Sequence, residues 1–286
     1  MNLLEGMNAA IAYIEAHLLD NLNIADVARV AGCSETDVQR IFYLLTDTTI
    51  AEYVRKRRLT LAAHELQSEK ASVLEIALKY GYSSPDSFTR AFKQLHRITP
   101  SMVNKGNCAL KSYGKITFTM TIQGVMAMEY RIVKKPEIHF IGKKNRVKDS
   151  IRISKEVQKL WDRMDTAFLK DLKTLRNEEG IAGLICDRLD GGIDYWIGCI
   201  SDKDCPSGYE QIALPKSTWV IFEVLGSLRP SSGKMVEICK RIYSEWFVNS
   251  DYIRAPIPEI EFYHGDGDFW AEDLKSEIWI PIVKKE

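Results

Sequence analysis

The chain contains 286 residues, of which 45% are hydrophobic and 27% are charged, and its 39 basic residues balance its 39 acidic residues. This composition is typical of an ordinary globular protein and does not fit a disordered, fibrous or membrane-spanning chain, and the length favours two domains. No apolar run approaches the roughly 18 residues that a membrane helix requires, and the N-terminus has no basic segment of the kind that begins a secretion signal. We therefore expect a cytoplasmic protein with two hydrophobic cores.

Charge and cysteine content narrow the kinds of site to be expected. The net charge is zero on each side of residue 107, so any contact with nucleic acid must come from locally arranged basic residues. Six cysteines are scattered, with no C-x-x-C spacing and no nearby pair of histidines. This pattern predicts reduced thiols and no bound metal or other cofactor.

Apolar residues recur at helical spacing through the first hundred residues and predict a series of short amphipathic helices. Asn23 and Ser34 stand where they can cap two of these helices, and Gly32 marks the tight turn between them. The same order returns about fifty residues later, with Gly81 at the turn, and a long helix is predicted between the two units by IAEYVRKRRLTLAAHELQ. The sequence therefore predicts an all-α domain over residues 1–107, with two helix-turn-helix motifs joined by a long helix.

The joining helix and the second motif also carry a family pattern. The stretches are AEYVRKRRLTLAAHEL and VLEIALKYGYSSPDSFTRAFKQLHRITPSMV, with I-A-x-x-x-G-[FY], S-x-F-x-R-x-F and a terminal T-P. Over roughly residues 8–104 they resemble the DNA-binding domain of the AraC/XylS regulators. The resemblance implies promoter or operator DNA and RNA polymerase as partners. Family members usually carry Gly just after each recognition helix, whereas this chain has Asp47 and Arg97. Because Arg tolerates a left-handed conformation less well than Asp, we expect a differently shaped second turn.

The resemblance places the recognition helices in the major groove, where polar side chains address base edges and basic residues hold phosphates. Gln can pair with adenine and Arg with guanine through two hydrogen bonds, so the first recognition helix is expected to set sequence choice and the second to contribute more to docking. The alternative for each residue is a solvated helix face. The predicted contacts are Thr36, Gln39 and Arg40 on the first recognition helix, Asp86, Ser87 and Arg90 on the second, and Arg55 and Arg57 at phosphates.

After the helical region the pattern changes to alternating strands. Residues 108–125 read as a polar linker and an entry strand, and a long amphipathic helix is predicted by ISKEVQKLWDRMDTAFLKDLKTL. A hairpin follows, and the order of strand, helix and hairpin then recurs from TWVIFEVLG to SEIWIPIV. We therefore predict an α+β domain over residues 126–286, made of two strand-helix-hairpin repeats with a ligand groove between them.

This second domain carries a family pattern of its own, in K-L-W, D-Y-W-x-G, W-V-I-F-E-x-x-G, S-E-W, P-E-I-E-F-Y and E-I-W-I-P. In that order these motifs resemble the GyrI-like ligand-binding domain of multidrug-sensing regulators. The resemblance implies a pocket for a bulky apolar, often cationic molecule, with aromatic walls and a buried carboxylate at Glu261. Glu223 is a rival for the carboxylate, and the aromatics could instead belong to the core. The candidate pocket residues are Glu261, Tyr263, Trp161, Trp196, Phe222 and Trp246.

The leading hypothesis is a ligand-responsive transcription regulator, an activator, that binds double-stranded DNA and a small-molecule effector. Two alternatives stay open: a hydrolase, because some GyrI-like domains are similar to enzymes that open strained rings, and a C-terminal protein-interaction module without a ligand. The sequence has no Ser-His-Asp arrangement, phosphate loop or metal-ligand spacing, and His139 and His264 are isolated. We therefore expect no catalytic residues.

Overall fold

The computed structural model describes residues 3–68, 72–103, 108–119, 127–147, 153–187, 192–226, 234–265 and 271–285. The chain divides into two compact units, Met1–Thr119 and Met120–Glu286. The first unit is helical and the second combines a sheet with helices. None of the helices in the described part of the chain combines the length and apolar composition that crossing a bilayer requires.

The described residues of the first unit form seven helices, and the ends of these helices agree with the local sequence signals. Asn23 caps the second helix by accepting the amide of Ala25, and Ser34 caps the third by accepting the amide of Asp37, as predicted. Gly32 ends the second helix in the left-handed conformation, with φ 72°. The helices are α1 (Leu3–Ala16), α2 (Ile24–Ala31), α3 (Glu35–Thr46), α4 (Ile50–Ser68), α5 (Val73–Lys79), α6 (Pro85–His96) and α7 (Pro100–Val103).

Helix α4 carries a short helix pair on each side, α2–α3 and α5–α6, here called the first and second helix pair. Leu59, Ala62 and Leu66 of α4 pack with the apolar residues of α5, α6 and α7 in one buried cluster. Near the other end of α4, the Tyr53 ring lies 5.7 Å from the ring of Phe42 on α3. One continuous helix therefore supplies core residues to both pairs.

The turns after α3 and α6 have the same shape, so the expectation of a differently shaped second turn was wrong. Asp47 has φ 51° and Arg97 has φ 67°, and both lie in the left-handed region that favours glycine. Each donates its amide to the carbonyl four residues earlier, Asp47 to Tyr43 at 2.8 Å and Arg97 to Lys93 at 2.9 Å. The helix-ending hydrogen bond outweighs the side-chain clash, which costs about 1–2 kcal/mol for an L-residue in this conformation.

The structure differs from the linker and entry strand predicted for residues 108–125. Residues 108–119 belong to the first unit and form neither helix nor strand. The alternation in ITFTMTIQG therefore does not mark a strand over 116–119, and its remaining residues lie outside the described part of the chain. The amides of this segment bond to side chains of the helical unit instead of to a neighbouring strand.

The second unit is built on one antiparallel sheet in the order β1-β6-β9-β8-β3-β4-β2-β5, with β7 paired to β9. Its strands are β1 (Tyr130–Lys135), β2 (Ile138–Val147), β3 (Gly180–Asp187), β4 (Ile193–Ile200), β5 (Glu210–Leu214), β6 (Ser217–Leu225), β7 (Tyr252–Arg254), β8 (Glu259–His264) and β9 (Lys275–Lys284). Its helices are α8 (Ile153–Trp161), α9 (Thr166–Leu175), α10 (Lys234–Arg241) and α11 (Phe247–Asn249), the last two joined by a π-helical turn over Ile242–Trp246.

The single long helix predicted over 153–175 is broken into α8 and α9. Asp165 ends the interruption by accepting the amide of Phe168 at 2.7 Å, which caps α9. An aspartate that caps a new helix competes with continuation of the old one, and the apolar spacing does not reveal this choice.

The sheet is strongly curved, because short links join strands that lie near its opposite ends. Only Pro136 and Glu137 separate β1 from β2, and only Pro215 and Lys216 separate β5 from β6, although each link joins strands six positions apart in the sheet. Two residues span about 10 Å, much less than six strand spacings of about 4.8 Å. The face with Trp219 and Trp279 encloses one core, and the opposite face is covered in part by α8 and α9.

Candidate functional site

The first recognition helix, α3, holds most of its polar face inside the structure. Thr36 and Arg40 are each only 7% exposed, so neither side chain reaches solvent in this arrangement, and their contact with bases stays a prediction. Arg40 pairs with Asp37 at 3.2 Å, and the same carboxylate accepts the hydroxyl of Ser34 at 2.8 Å. Gln39 is half-buried and donates to the carbonyl of Glu35 at 3.1 Å. Of the three predicted base contacts, Gln39 is the one that reaches solvent in this arrangement.

The second recognition helix, α6, presents a more open polar face. Asp86 and Arg90 are exposed, and Ser87 is half-buried. The Ser87 hydroxyl donates to the carbonyl of Ser84 at 2.8 Å, within the cap of the same helix. Arg90 and Asp86 therefore remain candidates for contact with DNA, whereas the hydroxyl of Ser87 already has a structural partner.

The two predicted phosphate contacts on α4 differ from each other. Arg55 is exposed. Arg57 is 13% exposed and holds the carboxylate of Glu15 with Nε and Nη2, both at 2.8 Å. Burial would raise the pKa of Glu15, but hydrogen bonds from Arg57 and Tyr53 outweigh it and lower the pKa. Arg57 also donates to the carbonyl of Tyr113. These contacts give Arg57 an internal role, so we retain only Arg55 as a phosphate candidate.

In the second unit, Glu261 lies at the centre of a hydrogen-bonded aromatic group on β8. Its Oε2 accepts the hydroxyl of Tyr195 at 2.7 Å and that of Tyr263 at 3.0 Å. The Tyr195 oxygen in turn accepts the indole N–H of Trp161 at 2.9 Å. Burial, followed by the charge of Glu261, raises the pKa of both tyrosines well above the usual value, so both remain protonated donors at neutral pH.

This group, here called the Glu261 cluster (Trp161, Tyr195, Glu261 and Tyr263), depends on a missing side chain on the neighbouring strand. Gly183 of β3 is the register partner of Glu261. A Cβ at position 183 would lie 2.0 Å from the Tyr195 hydroxyl oxygen and 3.1 Å from Oε2 of Glu261. The close approach of these groups over β3 therefore requires glycine.

The predicted aromatic walls lie on both faces of the sheet. Trp161 and Tyr263 stand together beside Glu261, with ring centroids 4.8 Å apart. Trp196 follows Tyr195 on β4 and so points to the opposite face, where it contacts Phe140 at 6.4 Å. Trp196 therefore does not belong to the Glu261 cluster, because consecutive strand residues alternate between faces.

The other two predicted walls, Phe222 and Trp246, pack against each other at 5.4 Å. Tyr130 lies 5.5 Å from Trp246, and Tyr252 stacks on it at 6.1 Å. Trp246, Tyr130 and Tyr252 line an open depression of about 410 Å³. Phe222 and Glu261 are both register partners of Ile278 on β9, so this aromatic group lies on the same face of the sheet as Glu261. Of the predicted walls, Trp196 is the one on the opposite face.

Two further carboxylates allow comparison with Glu261. Glu223, the rival candidate, lies on the face opposite Glu261 and pairs with Arg131 at 3.1 Å. Glu259 shares the face of Glu261 but is buried and bound by Nε of Arg254 at 2.5 Å. Glu261 is the carboxylate of β8 that combines partial exposure with aromatic neighbours.

Sequence reasoning found Glu261, Tyr263 and Trp161 but did not assign roles to Tyr195 or Gly183. The signal available for Gly183 was a glycine within the apolar run IAGLICD, which can mark a close approach of another group. Among the described residues, no group of three His, Cys, Asp or Glu side chains is arranged to hold a metal ion. His264 pairs with Glu277 at 3.2 Å, and His139 lies between Glu137 and Asp202.

Comparison with known proteins agrees with this division. Residues 27–106 match a family model described as a helix-turn-helix domain, and residues 128–283 match the GyrI-like small molecule binding domain. The Tn10 protein TetD of Escherichia coli is 47% identical over 32% of this chain and 66% of its own length, just under two thirds. The transcriptional activator AarP of Providencia stuartii is 37% identical over 32% of this chain and 68% of its own length.

One solved structure, that of SAV2435 bound to tetraphenylphosphonium, covers 55% of this chain and 94% of its own. It has 26% identity and a TM-score of 0.48. The family models and the curated relatives together decide the assignment: the chain belongs to the AraC/XylS-type regulators through its helical unit and to the GyrI-like small-molecule-binding family through its second unit.

Proposed function

We propose that this protein is a ligand-responsive transcription activator that binds promoter DNA through its helical unit and a bulky, apolar cation through its second unit. The observation that carries the proposal is the Glu261 cluster, a half-buried carboxylate held by two tyrosine hydroxyls beside an indole. It occurs in a chain whose first unit is of the AraC type. Such a chain would combine a binding site for a bulky cation with a DNA-binding unit.

The chemistry of the Glu261 cluster favours a positively charged ligand. A ligand that covers the carboxylate must replace its contact with water, and burying an ionised carboxylate without a counter-charge is costly. The ring faces of Trp161 and Tyr263 attract cations through their quadrupoles. The raised pKa values of Tyr195 and Tyr263 keep both hydroxyls protonated, so both can donate hydrogen bonds to the Glu261 carboxylate. A flat or multi-ring cation would therefore satisfy both the charge and the ring faces.

The groove that holds this ligand lies at the β3–β8 junction in our proposal. The strand order reads β5-β2-β4-β3 on one side of the junction and β1-β6-β9-β8 on the other, and each half has its own helices. We infer that the two halves are repeats of one strand-helix-hairpin unit. Glu261 projects from the strand at their boundary, where a small molecule would contact both halves.

For DNA, we propose that the two recognition helices address successive major grooves, about 34 Å apart on one face of the duplex. The exposed Arg90 is available for contact without rearrangement, whereas Gln39 would exchange its hydrogen bond to the Glu35 carbonyl for a base edge. Arg40 is hydrogen-bonded to Asp37. Its guanidinium would have to leave this carboxylate before it could donate to a guanine, because both acceptors need the same N–H groups. Activation would follow from contact between the DNA-bound protein and RNA polymerase, in keeping with the named role of AarP.

Calorimetric titration of the full chain tests the ligand part. Tetraphenylphosphonium and tetraphenylborate have the same shape and opposite charge, so the pair separates charge from size. We expect the wild type to bind the cation, and Glu261→Gln to weaken that binding tenfold or more while leaving the anion no weaker. Glu178→Gln removes an exposed carboxylate and serves as the control. Equal losses for both ions in Glu261→Gln, or no cation binding by the wild type, would contradict the proposal.

A further inference from the structure

Residues 108–119, here called the strap, lie along one face of α4. The amide of Tyr113 donates to Oγ1 of Thr60 at 3.1 Å, and its carbonyl accepts from Arg57. Further along, the amide of Ile116 donates to the hydroxyl of Tyr53 at 3.2 Å. Tyr53, Arg57 and Thr60 are three to four residues apart, so they form one stripe on the helix. The strap therefore runs antiparallel to α4, one helical turn at a time.

The two ends of the strap reach different helix pairs. Near its start, the amide of Lys111 donates to Nδ1 of His96 at 3.2 Å, at the end of α6 in the second pair. Near its end, Phe118 exchanges two hydrogen bonds with the side chain of Asn8 on α1, at 2.8 and 2.9 Å. The Phe118 ring also packs edge-on against Phe42 of the first recognition helix, with centroids 6.2 Å apart. The strap thus contacts both helix pairs.

The strap is held by side-chain hydrogen bonds and not by secondary structure, so it can be released without unfolding a helix or strand. Four backbone amides of the strap bond to side chains, and none of the four is part of a helix or strand ladder. The large apolar side chains of the strap are half-buried and none is fully buried, so undocking would expose part of each of them and leave the helical cores in place. The strap ends where the second unit begins, and β1 starts at Tyr130. Of the strap residues with a ring contact to the helical unit, Phe118 is the nearest in sequence to the second unit.

We propose that the strap is a regulatory element that fixes the two helix pairs relative to each other while docked, and that the ligand unit changes DNA affinity by docking or releasing it. Simultaneous contact with two successive grooves requires a defined spacing of the recognition helices. Releasing the strap removes contacts to both pairs and leaves α4 as their connection. The ligand-dependent half of this inference rests on the proposed function, whereas the docking half does not.

The test uses the full chain and Asn8→Ala, which removes both hydrogen bonds to Phe118. Alanine favours a helix more than asparagine does, so helix propensity cannot explain a loss. We expect amide exchange at Ile116 and Phe118 to be slow in the wild type and at least tenfold faster in the variant. Affinity for a duplex selected in vitro should fall about tenfold, and affinity for a random duplex less than twofold, because phosphate contacts are retained.

A second variant and a control keep the test decisive. Thr60→Val is nearly isosteric and should reproduce the loss of specific affinity, whereas Asn21→Ala, at an exposed position away from the strap, should leave it unchanged. Unprotected amides in the wild type, or full affinity for the selected duplex in a variant whose strap exchanges freely, would overturn the proposal.

A ligand experiment separates this inference from the proposed function. With tetraphenylphosphonium as the probe, DNA affinity should change in the wild type and stay constant in Asn8→Ala. A full response in Asn8→Ala would overturn the strap as the route of regulation. If the wild type does not bind the probe at all, the proposed ligand fails, and the exchange and affinity measurements still decide whether the strap fixes the helix pairs.

Discussion

The two helix pairs have the same backbone arrangement but differ in how exposed the polar side chains of their recognition helices are. Both recognition helices begin at a serine cap and end in a left-handed residue. On α3, Arg40 is buried against Asp37, whereas on α6 Arg90 is exposed. The difference shows that a family motif specifies where helices lie but not which polar groups are available. In our proposal, Arg40 must leave its internal ion pair before it can contact a base, whereas the exposed Arg90 can attract phosphates without such a change.

The largest expected effect is on the free energy of unfolding, and it distinguishes the internal Arg57 from the exposed Arg55 on α4, the helix that joins the two pairs. Arg57→Ala leaves Glu15 without its guanidinium in a place where the carboxylate is only 14% exposed. We expect this variant to lose about 3 kcal/mol of unfolding free energy, because breaking a buried ion pair strands the remaining charge. Arg55→Ala should change the stability by less than about 0.5 kcal/mol. Urea unfolding of both variants measures this difference in stability. Similar losses in the two variants would contradict an internal role for Arg57.

The next effect concerns DNA and distinguishes the two recognition helices directly. Arg40→Ala should cost about 1–3 kcal/mol for a selected duplex and relax base preference at one position, because a bidentate contact is lost. Arg90→Ala should weaken selected and random duplexes alike and reduce the salt dependence by about one ion. Binding measured across salt concentrations tests both variants. An unchanged preference in Arg40→Ala would remove Arg40 from base recognition.

Much of the helical unit was predictable because its signals are local. Caps at Asn23 and Ser34 depend on residues two or three positions away, which the sequence displays directly. The break between α8 and α9 was missed because the apolar spacing continues across it. Glu261 followed from the family pattern, but Tyr195 and Gly183 join it only through the register of β3, β4 and β8. The strap was missed because side-chain bonds to an irregular backbone leave no periodic pattern.

A smaller effect tests what the two pairs have in common, the left-handed residue after each recognition helix. Arg97→Gly should raise the free energy of unfolding by about 1 kcal/mol, since glycine adopts φ 67° without a Cβ clash. Asp47→Gly should stabilise less, because aspartate already tolerates this conformation. Thermal unfolding of the two variants gives the comparison. A destabilised Arg97→Gly would mean that the arginine side chain contributes more than the strain costs.

The smallest expected effect is a pH dependence at the second pair. Burial, and then the charges of Lys111 and His64, lower the pKa of His96 below the usual histidine value of about 6.5. The unfolded chain therefore binds this proton more readily, so the contribution of His96 to stability is complete above about pH 6.5 and declines as the pH falls toward the lower folded pKa. Urea unfolding at pH 7.5 and 5.5 should show a larger loss for the wild type than for His96→Gln. Equal losses would exclude this role.

The most direct test of a ligand-responsive regulator is the dissociation constant of the full chain for its selected duplex as tetraphenylphosphonium is added. We expect a change of about fivefold or more at saturation in the wild type, typical of coupling between two sites, and no change in Glu261→Gln. Tetraphenylborate at the same concentration should leave the constant unaltered. A wild-type constant that stays the same at saturating cation, or an equal response in Glu261→Gln, would contradict the account.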